Sequence, residues 1–411
     1  MAEKQKQASY AASYDAGDGV QLKVPYSFFG TEFDNEEREA IERVLQGETF
    51  TMGPEVEAFQ LEWAEYCGAK YAFATSSGTT ACNLSIQLLG LKPGDEVITT
   101  PITFIATNLE ILRQKAVPVF ADVQYETHNI DPESIKKKIT SKTKAIVVVH
   151  YGTQMCDMDE IMAIAKEHDL MVVEDAAHCP GAEYKGRKSG SIGDIGCFSF
   201  HPLKNMSTFE GGMLTVNRED LAEKVSSLRC IGLQDYKEQK DYWLPYHYDV
   251  VEVNDVIGNN FRMDEVRAAV GRVQLKKLDR FNAKRLELTE YVNSKLEGTD
   301  GISLPCWAPD RTQACYLYNP RYTLHDKYSK DDFLRILYYE EGIQTILHYL
   351  PNYLFSVYKK RGYKKGLCPV AEKVFFEETM TLPMHPRFSH EELDIMAQGI
   401  KNAITKLKQR G

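Results

Sequence analysis

Two residues between Val172 and Gly212 could together do chemistry that neither does alone. Asp175 follows the apolar run Leu170–Val173, which reads as a buried strand ending in the acids Glu174 and Asp175. Lys204 follows a second short strand, Gly196–Phe200, inside SFHPLKNMSTFEGG. An acid at the C-terminal end of a parallel strand lies where open α/β sheets bind ligands, and a lysine on a nearby loop can reach the same place. Pyridoxal phosphate needs this pair: an amine to hold its aldehyde as a Schiff base, and a carboxylate to keep its ring nitrogen protonated. At about 4 Å and an effective dielectric of about 20, such an ion pair is worth about 4 kcal/mol, or about three pKa units. That is enough to hold a pyridine protonated at neutral pH. Glu174 is a rival for the acidic role. Neighbours on a strand point to opposite faces, so only one of the two acids can meet the ring.

Other residues could complete the site. Ser77-Gly78-Thr79 falls between a strand-like and a helix-like segment, where amides at a helix N-terminus bind phosphate and glycine admits a close approach; a plain turn is the alternative. Phe104 lies just past a strand end, where by itself it reads as a core phenylalanine. His178 and Ser199 flank the same region, and His201 reads as a loop contact. Lys185 and Arg187 suit either a substrate phosphate or a solvated loop.

These residues need a scaffold, and the hydrophobic pattern provides one. Asp34–Gln46 reads as a helix capped by Asp34 with Glu37 three residues on, its apolar stripe formed by Ala40, Ile41, Val44 and Leu45. Strand-like Tyr71–Thr75, Glu96–Thr100, Val117–Ala121, Ala145–His150 and Leu170–Glu174 alternate with helix-like Thr79–Leu89, Ala106–Gln114, Pro132–Lys138 and Met158–His168. Such alternation predicts a mostly parallel sheet covered by helices on both faces. Gly196–Phe200 and Met213–Val216 are expected as neighbours in that sheet. Asp220–Arg229 reads as a helix, Cys230–Asn260 as irregular, and Phe261–Phe281 as a helix that Arg280–Glu297 links to a second domain. From about Gly298 the pattern turns α+β, with a strand over Tyr316–Tyr322 and helices over Lys330–Glu340 and Glu391–Lys408. The expected division is a tail (1–23), a large domain (24–285) and a small C-terminal domain (286–411).

The totals bound the function. The 411 residues carry a net charge of −10, with 43% hydrophobic and 26% charged residues, an ordinary globular balance. The acidic excess argues against bulk nucleic-acid or membrane-surface binding. No apolar run is long enough to span a bilayer, and the polar N-terminus lacks a signal core. Nine scattered cysteines without a CxxC pair suggest reduced thiols in the cytoplasm. A dinucleotide fold would need GxGxxG after a first strand, but the glycines at 190, 193 and 196 precede a strand. GAEYKGRKS falls short of a phosphate-binding P-loop because Arg187 intervenes. No metal cluster stands out.

EDAAH, GDIGCFSF, the turn of Pro202, Lys204 and Asn205, and the EGG that follows resemble the DegT/DnrJ/EryC1/StrS family of aminotransferases, from about Val24 to about Lys406. The resemblance implies a fold-type I pyridoxal-phosphate enzyme with a mostly parallel, seven-stranded type of sheet and a smaller C-terminal domain. It assigns Lys204 and Asp175 to catalysis. Ser77, Gly78, Thr79 and Ser199 then meet the cofactor phosphate, Phe104 stacks on its ring, and His178 lies near its phenolic oxygen. Asn260, in NNFRMDE, is similar to an asparagine that reaches the phosphate of a partner subunit, which implies a homodimer. His348 and Tyr349 resemble the substrate-side HYxP loop. The implied reaction moves an amino group from L-glutamate or glutamine to a keto or aldehyde sugar, by default nucleotide-linked. An octulosonate-type sugar, a cyclitol or aminoglycoside ketone, and a non-catalytic cofactor-binding regulator remain open. A lysine at 204 argues against the family's dehydratase branch, which carries histidine there. One departure stands out: relatives usually read TGEGG where this chain has Thr208-Phe209-Glu210-Gly211-Gly212, so Phe209 replaces a glycine at the site loop.

Overall fold

The computed structural model describes residues 19–26, 29–235 and 248–410. Helix α1 (Asn35–Leu45) starts at the expected capping box: the Asp34 side chain accepts from the Glu36 amide, and the Glu37 carboxylate accepts from the Asp34 amide at 2.8 Å. Leu45, expected in its apolar stripe, is exposed instead. Helix α2 (Pro54–Cys67) opens on proline, whose missing N–H costs nothing at a first helical position, and stops at left-handed Gly68.

Seven strands follow: β1 (Tyr71–Thr75), β2 (Glu96–Thr99), β3 (Val117–Phe120), β4 (Thr143–Val149), β5 (Met171–Asp175), β6 (Ile195–Ser199) and β7 (Gly212–Val216). They form one sheet in the order β1-β7-β6-β5-β4-β2-β3. The run from β6 to β3 is parallel, and only β7 runs against its neighbours β1 and β6. The connecting helices are α3 (Gly78–Leu88), α4 (Ile105–Arg113), α5 (Pro132–Lys138), α6 (Met158–Glu167) and α7 (Glu219–Arg229). The expected mostly parallel α/β sheet is therefore present, with β6 and β7 adjacent.

Alternation along the strands sorts the chemistry. On β4, Ala145 and Val147 face the α3 side with Val173, Ile195 and Cys197, while Ile146 and Val148 face α6 with Val172. Asp175, two residues after Val173, and Ser199, two after Cys197, thus fall on the α3 side. Phe198 and Phe200 point the other way, onto Phe59 and Trp63 of α2. Trp63 is fully buried, with its ring centroid 4.9 Å from both phenylalanines. Truncating such an anchor costs about 3–5 kcal/mol.

Two expected elements come out differently. Phe261–Phe281 and Arg280–Glu297 are one continuous helix, α8 (Glu265–Leu296). It begins at Glu265 because Asp264 caps it, accepting from the Arg267 amide at 2.9 Å, whereas the Phe261 amide bonds Arg229. Of Tyr316–Tyr322 only Arg321–Tyr322 is a strand, paired with Ile302–Ser303. The preceding backbone docks elsewhere: the Ala314 and Leu317 amides bond the carbonyls of Thr153 and Gly152. Beyond α8 come α9 (Lys330–Tyr339) and α10 (His390–Arg410), whose apolar faces share a core with Leu288, Val292 and Leu296 of α8. Val24 joins that core through a parallel bridge to Ile343. Among the described residues, no helix is long and apolar enough to cross a membrane.

Candidate active site

The C-terminal ends of β5 and β6 meet the N-termini of α3 and α4. Asp175, at the end of β5, is buried and turned toward those helices. Its Oδ2 accepts from the Thr107 hydroxyl at 2.6 Å and lies 3.9 Å from the Cys82 thiol, and its Oδ1 accepts from the Ala177 amide at 3.1 Å. Glu174 points to the opposite face, as alternation requires. There it accepts from the amides of Gly190, Ile192 and Gly193 at 2.6–2.9 Å and meets His150 Nε2 at 2.9 Å. Burial alone would push its carboxyl up, but His150 and the amides outweigh that and hold it below the usual range. Glu174 is thus consumed in pinning the glycine-rich loop, and Asp175 is the acid that faces the α3 side.

Ser77 caps α3: its Oγ accepts from the Thr80 amide at 3.2 Å, and the Thr80 hydroxyl accepts from the Ser77 amide at 3.0 Å. A β-carbon added at Gly78 would stand 2.6 Å from Ser199 Cβ, so only glycine allows the α3 N-terminus to approach β6 this closely. Ser77, Gly78, Thr79 and Ser199 are thereby gathered into one cradle at the positive end of an 11-residue helix. Phe104 caps α4 and keeps 43% of its surface exposed.

Lys204 is buried in the loop between β6 and β7. Its amine rests 4.1 Å from the centre of the Tyr316 ring, a cation–π distance. Tyr316 stacks on His178 (4.7 Å between ring centres, 26° between planes), and Tyr349 lies on His178 at 5.8 Å and 13°. His178 Nδ1 accepts from the Gly152 amide at 3.4 Å, which leaves Nε2–H facing the Tyr349 hydroxyl at 3.3 Å. Burial, with the charge of Lys204, holds His178 well below its usual pKa. His348 is pulled down to about 3 by burial and by Lys204; its Nδ1 lies 3.0 Å from the Thr381 hydroxyl, and its carbonyl accepts from Tyr151 at 2.6 Å. Both imidazoles are neutral at physiological pH. Asn205, next to the lysine, is fully buried and donates to Asn282 at 2.7 Å and to the Ala314 carbonyl at 2.6 Å, anchoring the loop from beneath.

Thus Lys204, Asp175, Ser77, Gly78, Thr79, Phe104, His178, Ser199, His348 and Tyr349 all lie on elements that converge at this end of the sheet. Asn260 is exposed, with its Oδ1 accepting from the Arg262 amide at 3.4 Å, and the next carbonyl, of Phe261, accepts from the Ser76 amide at 2.8 Å beside the cradle. Lys185 and Arg187 are spent on a surface pairing with Asp159 of α6. His201 is a loop contact, accepting from the Leu203 amide at 3.3 Å. Sequence reasoning missed Thr107 and Tyr316. Neither carries a local signal: Thr103 lies before the Phe104 cap, so its spacing from Thr107 marks no helix face, and Tyr316 stands far from Lys204 in the chain.

The residues present fit a phosphorylated pyridine aldehyde. The cradle at Gly78 has no room for a side chain but offers helix amides and hydroxyls, while a buried carboxylate ends β5 and a buried lysine stands in the loop after β6. Fold and site together define an α/β enzyme of the fold-type I, pyridoxal-phosphate class. The chain belongs to the DegT/DnrJ/EryC1/StrS aminotransferase family, which it matches over residues 31–401, and it is an aminotransferase. It is 35% identical to the spore coat polysaccharide biosynthesis protein SpsC of Bacillus subtilis, over 93% of this chain and 97% of that protein. It is also 35% identical to the dTDP-3-amino-3,6-dideoxy-alpha-D-galactopyranose transaminase of Aneurinibacillus thermoaerophilus, over 90% and 95% of the two chains. A Streptococcus pneumoniae protein solved in its PLP-form superposes with a TM-score of 0.83 at 27% identity, over 93% of this chain and 99% of that one. The family and this PLP-form neighbour point to pyridoxal phosphate as the cofactor.

Proposed function

We propose that this aminotransferase moves an amino group from L-glutamate or glutamine to a keto or aldehyde sugar carried on a nucleotide. The single observation that carries the site assignment is the convergence of a buried carboxylate, a buried lysine and a helix-capped glycine cradle at one end of the sheet. The sugar assignment draws on the dTDP-sugar transaminase among the relatives.

Bound pyridoxal phosphate supplies an aldehyde for amines and a ring that accepts electrons from a carbon losing its proton. The chain's residues do the rest. The amides and hydroxyls of Ser77, Gly78, Thr79 and Ser199 bind the phosphate. Phe104 orients the ring from one face. Asp175 holds a proton at the ring nitrogen. His178, kept neutral, offers Nε2–H to an oxygen acceptor on the Tyr349 side. Lys204 Nζ takes the proton from the amino-bearing carbon of the donor and delivers one at the acceptor carbon. His348 and Tyr349 line the substrate side. One lysine serving both halves gives ping-pong kinetics.

The active site is completed in a homodimer by Asn260 of a second copy. That reading is supported by exposed apolar residues that precede it: Ile231; Tyr248 and Val250, on the strand Tyr248–Val250 paired with Leu233–Asp235; and Ile257, on Val256–Ile257 paired with Glu252–Val253. The free state of all nine cysteines supports a cytoplasmic location. Division into a large and a small domain near residue 285 is supported by a core that, apart from Val24, is built from Leu288 onward.

Absorbance titration of the cofactor-loaded protein with L-glutamate tests the reading. The wild type should convert its cofactor to the amino form, and Lys204→Ala should not. The loaded amino form then screens keto sugars. If no amino donor, glutamine and alanine included, discharges the wild type, the proposed donor half-reaction and the assigned lysine fall together.

A further inference from the structure

The first turn of α4 does more than carry Phe104. Thr107, three residues on, is buried, and so is Thr103 just before the cap. The Thr107 Oγ lies 2.6 Å from Asp175 Oδ2 and 3.0 Å from the Thr103 Oγ. A hydroxyl has one hydrogen, and an ionised carboxylate can only accept. The Thr107 hydrogen therefore goes to Asp175, and the Thr103 hydrogen must serve the second contact. The result is a directed chain: Thr103 donates to Thr107, and Thr107 donates to Asp175. The other donors to this carboxylate are weaker in kind or longer, the Ala177 amide at 3.1 Å and the Cys82 thiol at 3.9 Å. Donation to an ionised partner is shorter and stronger than between neutral groups, and a chain of hydroxyls polarises each member. A threonine serving only its helix would turn its hydroxyl to a backbone carbonyl in the preceding turn, whereas this one points across to another element.

We propose that Thr107, backed by Thr103, is a positioning residue that fixes the Asp175 carboxylate and keeps the shared proton on the cofactor's ring nitrogen. The proposal rests on the reading of Asp175 as the ring-nitrogen partner. It makes α4 a joint device, with Phe104 orienting the ring and Thr107 orienting the acid from the same turn.

The test loads the protein with pyridoxal phosphate labelled with ¹⁵N in the ring and follows that resonance by NMR. The variants are Thr107→Val, nearly the same shape without the hydroxyl, Thr107→Ser and Asp175→Asn. The ring-nitrogen resonance of Thr107→Val should move toward the unprotonated position. Its single-turnover rate with saturating L-glutamate should fall about 10- to 100-fold, the effect of one hydrogen bond to a charged group, with half-saturation little changed. Thr107→Ser should restore both. An unchanged resonance in Thr107→Val, with a shift in Asp175→Asn, overturns the role of Thr107 and leaves Asp175 standing. An unchanged resonance in Asp175→Asn overturns the reading of Asp175 and this proposal with it. Should Thr107→Val not fold or load, Thr103→Val breaks the chain one step back. A smaller shift in the same direction supports the proposal, and no shift overturns it.

Discussion

Phe209 lies at φ +66°, where a β-carbon crowds the following carbonyl at a cost of roughly 1–2 kcal/mol. This is the position at which the chain departs from the glycine of the resembling family, and the backbone has kept a conformation that suits glycine. The phenylalanine gains a partner in return: its ring lies 5.1 Å from Phe33, which in turn meets Phe29 at 5.0 Å. The strain can be isolated by comparing two variants that both lose the ring. Phe209→Gly should be about 1 kcal/mol more stable than Phe209→Ala in urea denaturation, and equal stabilities would show that the backbone there is relaxed. The same scale shows the limit of reading residues alone. Glu174 and Asp175 are chemically alike and adjacent, and the choice between them follows from which face holds His150 and three loop amides and which holds Thr107 and Cys82.

Among the elements, α2 depends on α8. Gly53 gives α2 no side-chain cap, and the buried Glu265, first residue of α8, supplies one from 210 positions away: its carboxylate accepts from the amides of Gly53, Glu55 and Val56 at 2.7–3.2 Å. A negative charge on exposed helix amides is favourable for both hydrogen-bonding and dipole reasons. Glu265→Gln removes the charge and turns an N–H₂ toward at least one of those donors. It should destabilise the protein by about 1–3 kcal/mol, read as a lower melting temperature by circular dichroism; an unchanged melt would mean that water replaces the carboxylate. Helix positions were legible because capping boxes and 3.6-residue periodicity are local. The extent of the Tyr316–Tyr322 strand was not, because the Ala314 and Leu317 amides pair with a loop more than 150 residues earlier in the chain.

At the level of the whole molecule, burial sets the pH response. His128 and His348 are drawn down to about 3, and His178 well below its usual value, so all three stay neutral in the folded protein. In the unfolded chain they titrate near pH 6.5. Between about pH 6.5 and about 3 the unfolded state therefore binds protons that the folded state does not. Each histidine lowers stability by roughly 1.4 kcal/mol per pH unit as pH falls through that window, and contributes no slope above it. His385, drawn down to about 4 by burial, is likewise neutral in the fold at pH 5.5, so unfolding there should take up about four protons, measurable from the pH dependence of the calorimetric midpoint and enthalpy; uptake near zero would show that these imidazoles protonate in the fold.

The sequence by itself determined the architecture and the chemistry class, since both are written in short-range patterns. Alternating βα segments specify a mostly parallel sheet. Asp175 at a strand end, Lys204 in its loop and the Ser77-Gly78-Thr79 turn are the short-range signals on which the proposed cofactor site rests. Tertiary structure alone decided what surrounds those residues. Tyr316 reaches the lysine from 112 positions away, and Thr107 reaches the aspartate from 68. Neither contact has a local signature, because each forms only when separate elements are packed together by burial of their apolar faces.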